Sequence, residues 1–557
     1  MKQIKADTLA QLCLSASAKF KNRTAFAMLS EGKISRNVTY EQMGKQSRQI
    51  SLLLRQIGVE TGNRVLLLCE NSPEWALAYF GIALAGAVSV PLLTGFSAEQ
   101  IQNIAAHSNV SAVCLSRAMK EKFEKPENSD DVNFQIFSKT PFIYIDSITH
   151  NADCDAQISV SVNGNEEIKL MSFCGECEDH YQHDPDALAT IIYTSGTQGN
   201  SKGVMLSSKN IISSSLSSLT FVKLYPRDRL LSVLPLAHSY ECSLGLIAPV
   251  YSGSSVTYMG KPPSPSVLLP ALKLIRPTAV ISVPLLIEKI YNNAIAPKLR
   301  ANKLYKFPLT RPLAILAAGR RLISAFGGKI RFFGIGGAPL SPEVENFLYR
   351  ARFPYSIGYG LTEAAPLAAG SSPLRFRLHS GLKAPKGVSM RIVKCPISAE
   401  DQKAGEIQMR GPNVMMGYYN DKIKTSEVIT SDGWLRTGDL GCVDRKGSLH
   451  IKGRLKALIL GPSGENIYPE EIEGLLGSSA LVEDALVYSG EKGELIALVR
   501  LSETAKAVTG AIEQALEDLR GWANKKLAAF SRLSKIEIRY EPFEKTPTMK
   551  IKRYLYI

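Results

Sequence analysis

The stretch YTSGTQGNSKGV, residues 193–204, constrains this chain more than any other part of its sequence. It follows an apolar run and brings hydroxyls, glycines and one lysine into a single turn. Glycines allow backbone N–H groups to converge on an anion, hydroxyls add donors, and an ammonium adds positive charge. The groups in question are Thr194, Ser195, Gly196, Thr197, Gly199, Lys202 and Gly203. The turn therefore predicts a polyphosphate site.

A P-loop does not explain this turn well. The Walker sequence has glycine before its lysine and Ser or Thr after it, whereas Ser201 precedes Lys202 and Gly203 follows it. The stretch instead resembles the signature loop of the adenylate-forming superfamily, which includes acyl-CoA synthetases, adenylation domains and luciferases. Gln198 and Ser201 stand where that loop usually has threonine and proline. The alternative from the residues alone is an ordinary Gly/Ser turn.

Composition indicates a large globular protein with anionic ligands or an anionic surface as its partners. The chain has 557 residues, 45% of them apolar, and a formal net charge of +15. Its nine cysteines are odd in number and scattered, which indicates a reducing compartment and favours the cytoplasm. Lys5, Asp7 and Gln11 interrupt the first twenty residues, so we interpret them as a structural helix and not as a signal peptide.

An uncharged run of nineteen residues, 75–93, raises the question of a membrane span. Asn71 or Ser72 can cap a helix there, Pro73 suits its first turn, and Gly86 can end it. The remaining residues, 87–92, then form a short buried strand. We therefore predict a helix and a strand inside a core.

The first third of the chain alternates helix and strand signals. Capping boxes at 39–42 and 97–100 begin helices, and 65–69 and 110–115 are typical of strands, so we predict an α/β fold with parallel sheets. Residues 146–186 are polar without a clear period, and we interpret them as a surface connection. Short β-like runs between 381 and 453 predict a small β-rich subdomain.

The family resemblance implies two domains. Residues 1–453 correspond to its N-terminal AMP-binding domain, built of α/β subdomains plus the β-rich part. Residues 454–557 correspond to its small mobile α+β C-terminal domain. The stretch ENIYPEEIE, 465–473, resembles the start of that small domain in fatty acyl-CoA synthetases.

Two downstream motifs, GGAPL at 336–340 and GYGLTE at 358–363, are similar to the adenine and magnesium segments of the family. Adjacent glycines can lie flat against a purine, a tyrosine ring can stack on it, a threonine can donate to phosphate, and a carboxylate suits magnesium. The resemblance assigns ATP or AMP binding to Gly336, Gly337, Ala338, Pro339, Gly358, Tyr359 and Gly360, and catalysis to Thr362 and Glu363, with Glu363 as the metal ligand.

Three further motifs complete the resemblance. In TGD at 437–439, Asp439 would accept hydrogen bonds from the ribose hydroxyls. In GRLK at 453–456, Arg454 would reach ribose or phosphate and Lys456 would be the hinge. In KTPTMKIKR at 545–553, Lys550 matches the catalytic lysine, and Met549 stands where the family has glycine. A cation is needed there because the carboxylate and the α-phosphate repel each other.

The stretch LPLAHSYE, 234–241, resembles the segment that faces the acyl group, and it places His238 near the reacting carboxylate. A purely structural histidine is the alternative. Amino-acid adenylation domains carry an aspartate in this region for the substrate ammonium, and no aspartate lies between Leu230 and Ser282. We therefore expect an acid with an apolar tail.

These assignments imply a ligase for medium or long fatty acids that uses ATP and Mg²⁺ and transfers the acyl group to coenzyme A through an acyl-adenylate. Two alternatives stay open. One is an enzyme that loads the same adenylate onto acyl-carrier protein. The other is a non-catalytic protein that binds nucleotide or an acyl chain, motivated by Gln198, Ser201 and Met549.

Two features lie outside this scheme. Cys174, Cys177, His180 and His183 are zinc-ligand types, but their compact spacing favours an ordinary polar loop. Between Lys289 and Arg331 there are ten basic residues, no acidic ones and interleaved apolar side chains, so a peripheral contact with an anionic membrane, at its inner face, competes with a solvated basic face. Nucleic acid is not expected, because the aromatic residues form no stacking platform.

Overall fold

The structure is a computed structural model. It describes residues 4–123, 137, 140–150, 155–162, 165–172, 184–195, 201–261, 263–373, 378, 381–394, 404–460, 466–479, 481–490, 493–502, 512–546 and 550–557. The candidate ligands Cys174, Cys177, His180 and His183 therefore lie outside the described residues. Gly196, Thr197, Gln198 and Gly199 of the signature loop, and Met549, also lie outside them.

A nine-stranded mixed sheet carries the signature loop. Its centre is parallel, and antiparallel strands extend it at both ends. In spatial order its strands, numbered along the chain, are β19 (Gly417–Tyr418), β10 (Ser201–Ser207), β9 (Leu188–Ser195), β4 (Val88–Pro91), β3 (Arg64–Leu68), β5 (Val110–Leu115), β6 (Phe142–His150), β7 (Asp155–Val162) and β8 (Asn165–Ser172).

An eight-stranded sheet carries the other large-domain motifs. Its inner strands pair in parallel, and one antiparallel strand lies at each edge. In spatial order the strands are β16 (Leu367–Gly370), β15 (Tyr355–Gly360), β14 (Phe332–Ile335), β13 (Ala279–Ser282), β11 (Arg229–Leu231), β12 (Ser255–Tyr258), β1 (Thr24–Ser30) and β2 (Lys33–Thr39).

Helices cover these sheets and follow the sequence signals closely. Both predicted capping boxes form, with Thr39 and Ser97 as the N-caps. The helices are α1 (Leu9–Phe20), α2 (Tyr40–Gln56), α3 (Pro73–Leu84), α4 (Ala98–Ser108), α5 (Ser208–Ser218), α6 (Ala248–Ser252), α7 (Pro265–Ile275), α8 (Pro284–Ile290), α9 (Ala296–Ala301), α10 (Lys303–Lys306), α11 (Arg311–Ala325), α12 (Pro342–Arg350), α13 (Lys422–Val428), α14 (Pro469–Gly477) and α15 (Ile512–Asn524).

The apolar run at 75–93 forms the predicted helix and strand, α3 and β4. Ser72 caps α3 by accepting a hydrogen bond from the Trp75 N–H, and Gly86 adopts φ 73° just after the helix. Trp75 and Tyr79 are buried and stack with ring centroids 5.3 Å apart. None of the helices in the described part of the chain is both long and apolar enough to cross a membrane.

The interpretation of residues 146–186 as a surface connection is wrong over much of its length. Strands β6, β7 and β8 pair in antiparallel fashion and extend the nine-stranded sheet beyond β5. In β7 the apolar Ile158 and Val160 are buried, but so are Ser159 and Ser161. Since both faces of this strand contain buried residues and half of them are serines, its sequence resembles that of a polar segment.

Two smaller units complete the α/β fold. A four-stranded antiparallel sheet contains β17 (Ser389–Val393), β18 (Gly405–Arg410), β20 (Leu435–Val443) and β21 (Leu449–Arg454), where the β-rich subdomain was predicted. After it come the β22–β23 pair (Ile459–Leu460 and Asn466–Ile467) and a three-stranded sheet of β24 (Val482–Ser489), β25 (Leu495–Leu501) and β26 (Lys535–Ile538). The fold class is as predicted, while the domain boundary at 453/454 stays a prediction.

Candidate active site

Half of the candidate residues lie on the eight-stranded sheet or in the segments that follow its strands. Strands β11, β13, β14 and β15 are parallel neighbours, so the segments that follow them meet at their common carboxyl edge. The segment with His238 follows β11, Gly336 to Pro339 follow β14, and Glu363 follows β15. Such an edge is where open α/β sheets bind ligands.

The adenine motif is held close to the end of β15. Gly336 donates its backbone N–H to Ser282 at 3.1 Å, and a Cβ atom there would lie 3.3 Å from the Tyr240 ring and from the Gly358 carbonyl oxygen. Gly337 has φ 89°, which only glycine adopts readily. Gly337, Ala338 and Pro339 are exposed and available to a ligand.

The described part of the signature loop is a hairpin between β9 and β10. Thr194 and Lys202 face each other across the two strands. The Lys202 ammonium lies 5.0 Å from the centroid of the Tyr418 ring in β19. Ser195 ends β9, and its side chain is outside the described residues.

Tyr418 joins this hairpin to the proposed metal ligand. Its hydroxyl donates to Glu363 Oε1 at 2.8 Å, while its ring contacts Lys202. Burial and the Glu363 charge raise the pKa of Tyr418 well above its ordinary value, so the phenol stays protonated. Thr362 and Glu363 occupy a short 3₁₀ turn, Thr362–Ala364. One phenol thus holds the carboxylate of Glu363 beside the phosphate-binding turn.

Asp439 is the centre of a second polar group. The Tyr359 hydroxyl donates to its Oδ2 at 2.6 Å, and Arg454 Nε lies 3.4 Å from its Oδ1. Burial raises the pKa of Asp439, and the Arg454 charge opposes that rise. Asp439 and Arg454 face each other across β20 and β21, and Lys456 lies in the next turn, Leu455–Ala457.

Lys550 reaches this site from the small C-terminal unit. Lys550 is exposed to solvent, yet the protein around its ammonium partly desolvates that group. This desolvation lowers the pKa of Lys550. The Arg454 charge lowers that pKa further, and Glu470, Asp439 and Glu363 oppose the change. The Lys550 charge also contributes to the lowered pKa of His238. The Lys550 charge therefore interacts electrostatically with residues from three separate motifs.

Ion pairs on both sides of Lys550 fix its segment to the small unit. Lys545 binds Asp484 with an N···O distance of 2.6 Å, and Arg553 binds Glu473 at 2.5 Å. Between them, Thr546 donates its backbone N–H to the Lys550 carbonyl at 2.7 Å. The Lys550 segment is therefore anchored to the small unit.

His238 is partly buried and neutral. Its Nδ1 accepts a hydrogen bond from the Tyr240 N–H at 3.1 Å, so its proton is on Nε2. Burial lowers the pKa of His238 to about 4, and the Lys550 charge contributes. An imidazole N–H of this kind can donate to a carboxylate oxygen without adding a buried charge.

Asn71 fixes the segment in front of His238. Its side-chain amide donates to Ser232 Oγ at 3.0 Å and to the Leu234 carbonyl at 2.5 Å, and its Oδ1 accepts from the Leu236 N–H at 2.8 Å. Asn71 comes just after β3, in the nine-stranded sheet, whereas Ser232 follows β11 in the other. One amide therefore connects the two sheets at the site.

An apolar cavity begins at Tyr240, next to His238. It encloses about 590 Å³ of empty space, which includes its open mouth. Its walls come from α5 and the residues after it, the π-helical turn Glu241–Ile247, and strands β13 to β16. They include Leu219, Phe221, Val222, Leu244, Ile281 and Leu367. Tyr240 and Gly358 line both this cavity and the adenine motif. An acyl chain in the cavity would place its carboxylate near the nucleotide.

A family model described as "AMP-binding enzyme" matches residues 14–419. The chain belongs to this family. Long-chain-fatty-acid–CoA ligase FadD15 of Mycobacterium bovis is 30% identical over 578 residues, which cover 93% of this chain and 90% of that protein. Long chain acyl-CoA synthetase 6, peroxisomal, of Arabidopsis thaliana is also 30% identical, over 83% of this chain and 68% of its own length. The predicted relationship is thus confirmed.

Solved structures of AMP-binding enzymes share the fold. The o-succinylbenzoate CoA synthetase of Bacillus subtilis, in complex with its acyl-adenylate intermediate, matches with a TM-score of 0.74 at 23% identity, over 98% of this chain and 97% of that chain. ATP-bound MatB from Rhodopseudomonas palustris matches with a TM-score of 0.75 at 22% identity, over 98% of both chains.

The sequence motifs did not identify four polar residues of the site: Tyr418, Asn71, Ser232 and Glu241. Glu241 is buried in the π-helical turn that follows His238, and Ser232 Oγ donates to its Oε1 at 2.6 Å. Its Oε2 is buried without a hydrogen-bond partner among the described residues. Burial raises the pKa of Glu241 to about 8, so the side chain is neutral at pH 7. Its place in LPLAHSYE was the only signal.

Proposed function

We propose that this protein is an ATP-dependent acid–thiol ligase. It activates a medium- or long-chain fatty acid as the acyl-adenylate and transfers the acyl group to coenzyme A. The observation that carries the proposal is the electrostatic influence that links Lys550 to Asp439, Glu363 and His238. His238 accepts a hydrogen bond from Tyr240, which lines the apolar cavity. The names of the ligases from Mycobacterium bovis and Arabidopsis thaliana support the substrate class.

In the first step, a carboxylate oxygen attacks the α-phosphorus of ATP. The new P–O bond forms as the bond to the β-phosphate breaks, and pyrophosphate leaves. The Lys550 ammonium bridges the two anions that have to meet, and the neutral Nε2–H of His238 donates to the carboxylate. The apolar cavity holds the tail and fixes the direction of attack.

The nucleotide is held by groups from several motifs. Lys202 and the signature loop bind the phosphates, the glycines of 336–337 and 358–360 flank the base with Tyr359, and Asp439 accepts from the ribose. Glu363 suits Mg²⁺, which commonly takes one or two carboxylates together with substrate phosphate oxygens and water. Bound there, the ion would offset phosphate charge. The described residues contain no group of three or more His, Cys, Asp or Glu side chains that could hold a metal ion by themselves.

In the second step, the thiol sulfur attacks the acyl carbonyl. A C–S bond forms, the C–O bond to phosphate breaks, AMP leaves, and the thiol proton is released to solvent. We propose that residues 454–557 turn about Lys456 between the steps and withdraw Lys550, which opens a path for the thiol. The anchoring of Lys550 through Lys545 and Arg553 supports its movement with the small unit.

Lys550→Ala tests the proposal. It should abolish fatty-acid-dependent ATP–pyrophosphate exchange, while thioester formation from supplied acyl-adenylate persists. Lys552→Ala, which removes a surface partner of Glu544, is the matched control and should retain both reactions. Equal loss of the two reactions in Lys550→Ala would contradict the assigned role. If wild-type protein binds ATP and fatty acid but releases no AMP, the protein is a binding protein instead.

The acceptor is decided by a direct comparison. Coenzyme A and holo-acyl-carrier protein present the same phosphopantetheine thiol, so both belong in one assay with the same acyl-adenylate. We expect coenzyme A to give the higher rate of AMP release. A reversed preference would identify the protein as an acyl-acyl-carrier-protein synthetase.

A further inference from the structure

We propose that the turn between α10 and α11 docks the protein on a bilayer that contains anionic lipid. The inference goes beyond the ligase reaction, because it concerns a surface and not the cleft. It depends on four large apolar side chains, which we call the apolar tip, and on the basic residues around them.

The apolar tip consists of Leu304, Phe307, Leu309 and Leu313. Their exposed fractions are 52%, 66%, 94% and 64%, within ten residues of sequence. Single exposed apolar residues are common, but such a group on one turn marks an interaction surface. Leu309 is almost completely exposed to solvent.

Hydrogen bonds give this turn a defined shape. Thr310 Oγ1 donates to the Leu304 carbonyl at 2.7 Å, Arg311 Nε donates to the Tyr305 carbonyl at 3.0 Å, and the Arg311 N–H donates to the Phe307 carbonyl at 2.9 Å. Behind the turn, Gly319 lets α11 pack tightly on Ala351 at the end of α12. The apolar tip is thus presented by an ordered scaffold.

Positive charge surrounds the apolar tip. Lys298, Lys303, Lys306 and Arg311 are exposed, and the sequence from 289 to 331 contains no acidic residue. The acidic residue that faces this region from α12 is Glu343, which lies 3.5 Å from Arg300. The outward side of α11 continues the charge with Arg320 and Arg321, about 10 Å along the helix from Leu313.

A lipid surface fits both properties at once. Exposed leucine and phenylalanine side chains enter the boundary between headgroups and acyl chains, while lysine and arginine bind anionic headgroups. An acidic protein would match the charges, but it would leave the apolar tip without a partner. The ligase substrate we propose partitions into such a bilayer, so docking would bring the enzyme to its acid.

Vesicle cosedimentation of the full-length protein tests the proposal, with phosphatidylcholine vesicles that contain or lack phosphatidylglycerol. Wild type should bind the anionic vesicles and lose affinity as salt rises. Phe307→Ser/Leu309→Ser should weaken that binding about tenfold or more, and Lys303→Glu/Lys306→Glu should weaken it to a similar degree and reduce its salt dependence. Lys33→Glu/Ile34→Ser alters an exposed lysine and an exposed isoleucine on β2 and should bind as wild type does.

Absence of binding to anionic vesicles would overturn the proposal. Loss of binding in the charge variant together with full binding in the apolar variant would also overturn it, and would indicate an acidic macromolecule as the partner. Equal thermal melting of all variants checks that they fold. Ligase activity on a water-soluble short acid should be unchanged in each variant, so failure of docking and failure of the proposed reaction are separable.

Discussion

Tyr418 places one phenol between two charged groups that come from different sheets. Its ring lies against the Lys202 ammonium and its hydroxyl binds Glu363. The phenol therefore holds one oxygen of the Glu363 carboxylate. This arrangement assigns Tyr418 the role of positioning Glu363.

Tyr418→Phe should lower the rate of ATP–pyrophosphate exchange about tenfold, because a hydrogen bond to a charged group is lost while the ring contact with Lys202 remains. The apparent affinity for Mg²⁺ should fall with it, and this can be measured by titrating the metal at fixed ATP. Tyr419→Phe, next in the chain, is the control. An unchanged metal dependence would show that Glu363 does not need the phenol.

The raised pKa of Glu241 predicts that the stability of the fold depends on pH. Its pKa is about 8 in the folded protein and near 4.5 ordinarily, so the folded state holds an extra proton between those values. Stability from this group is therefore complete below about pH 4.5 and is lost as pH rises to 8, by about 3 kcal/mol at pH 7. Glu241→Gln, which stays neutral, should remove that loss.

Thermal melting of wild type and Glu241→Gln at pH 5 and pH 8 measures the difference. The variant should gain relative to wild type at the higher pH. Ser232→Ala removes a hydrogen bond that opposes the rise of the Glu241 pKa, so it should extend the loss to higher pH. Parallel melting curves for wild type and Glu241→Gln would contradict a neutral Glu241.

At the level of elements, the end of α5 forms one wall of the acyl cavity. Leu219 caps the helix and lines the cavity, whereas the next residue, Thr220, is exposed and does not. A capping box at Ser207 stabilises the N-terminus of this helix. A larger side chain at Leu219 therefore has to occupy cavity volume.

Leu219→Trp should shift the acyl preference of the enzyme toward shorter chains. We expect kcat/KM for a long acid to fall about tenfold or more while that for a medium acid changes little, since the tail of the long acid loses apolar contact. A series of acids from six to eighteen carbons measures the shift. Thr220→Trp is the control, and a uniform decrease across the series would contradict the assignment of this cavity.

The sequence predicted elements well where apolar pattern and capping agreed, as in α3 and β4. It failed at β7, where Ser159 and Ser161 are buried beside Ile158 and Val160. Alternation of this kind usually indicates one solvent-exposed face. Here Arg117, which is distant in sequence, donates to Ser159 Oγ at 3.0 Å. Local pattern cannot report such burial.

At the scale of the whole molecule, the order of motifs in the sequence predicted which segments form the cleft. The structure brings Lys202, Asp439, Arg454, His238 and Lys550 to it. Tyr418, Asn71 and Ser232 escaped sequence reasoning because each acts through a partner at least fifty residues away or across two sheets. Only the fold creates these contacts.

The proposed rotation of the small unit between adenylation and thioester formation can be tested at Lys456. Lys456 lies in a 3₁₀ turn, whose φ is compatible with proline. Lys456→Pro should therefore hold the present orientation, retaining ATP–pyrophosphate exchange but slowing thioester formation more than tenfold. Lys456→Ala, which leaves the turn free, should retain both rates. Equal rates of thioester formation in the two variants would place the hinge elsewhere.

Asn71 has a mechanical consequence for this cycle. Its three hydrogen bonds connect the segment in front of His238 to the nine-stranded sheet, so they oppose sliding between the two sheets at the proposed site. We therefore expect the displacement that we propose between the half-reactions to occur in the small unit. We expect the large unit to stay rigid while the small unit rotates. A substitution of Asn71 should then disturb the alignment of the two substrates, although Asn71 contacts neither of them.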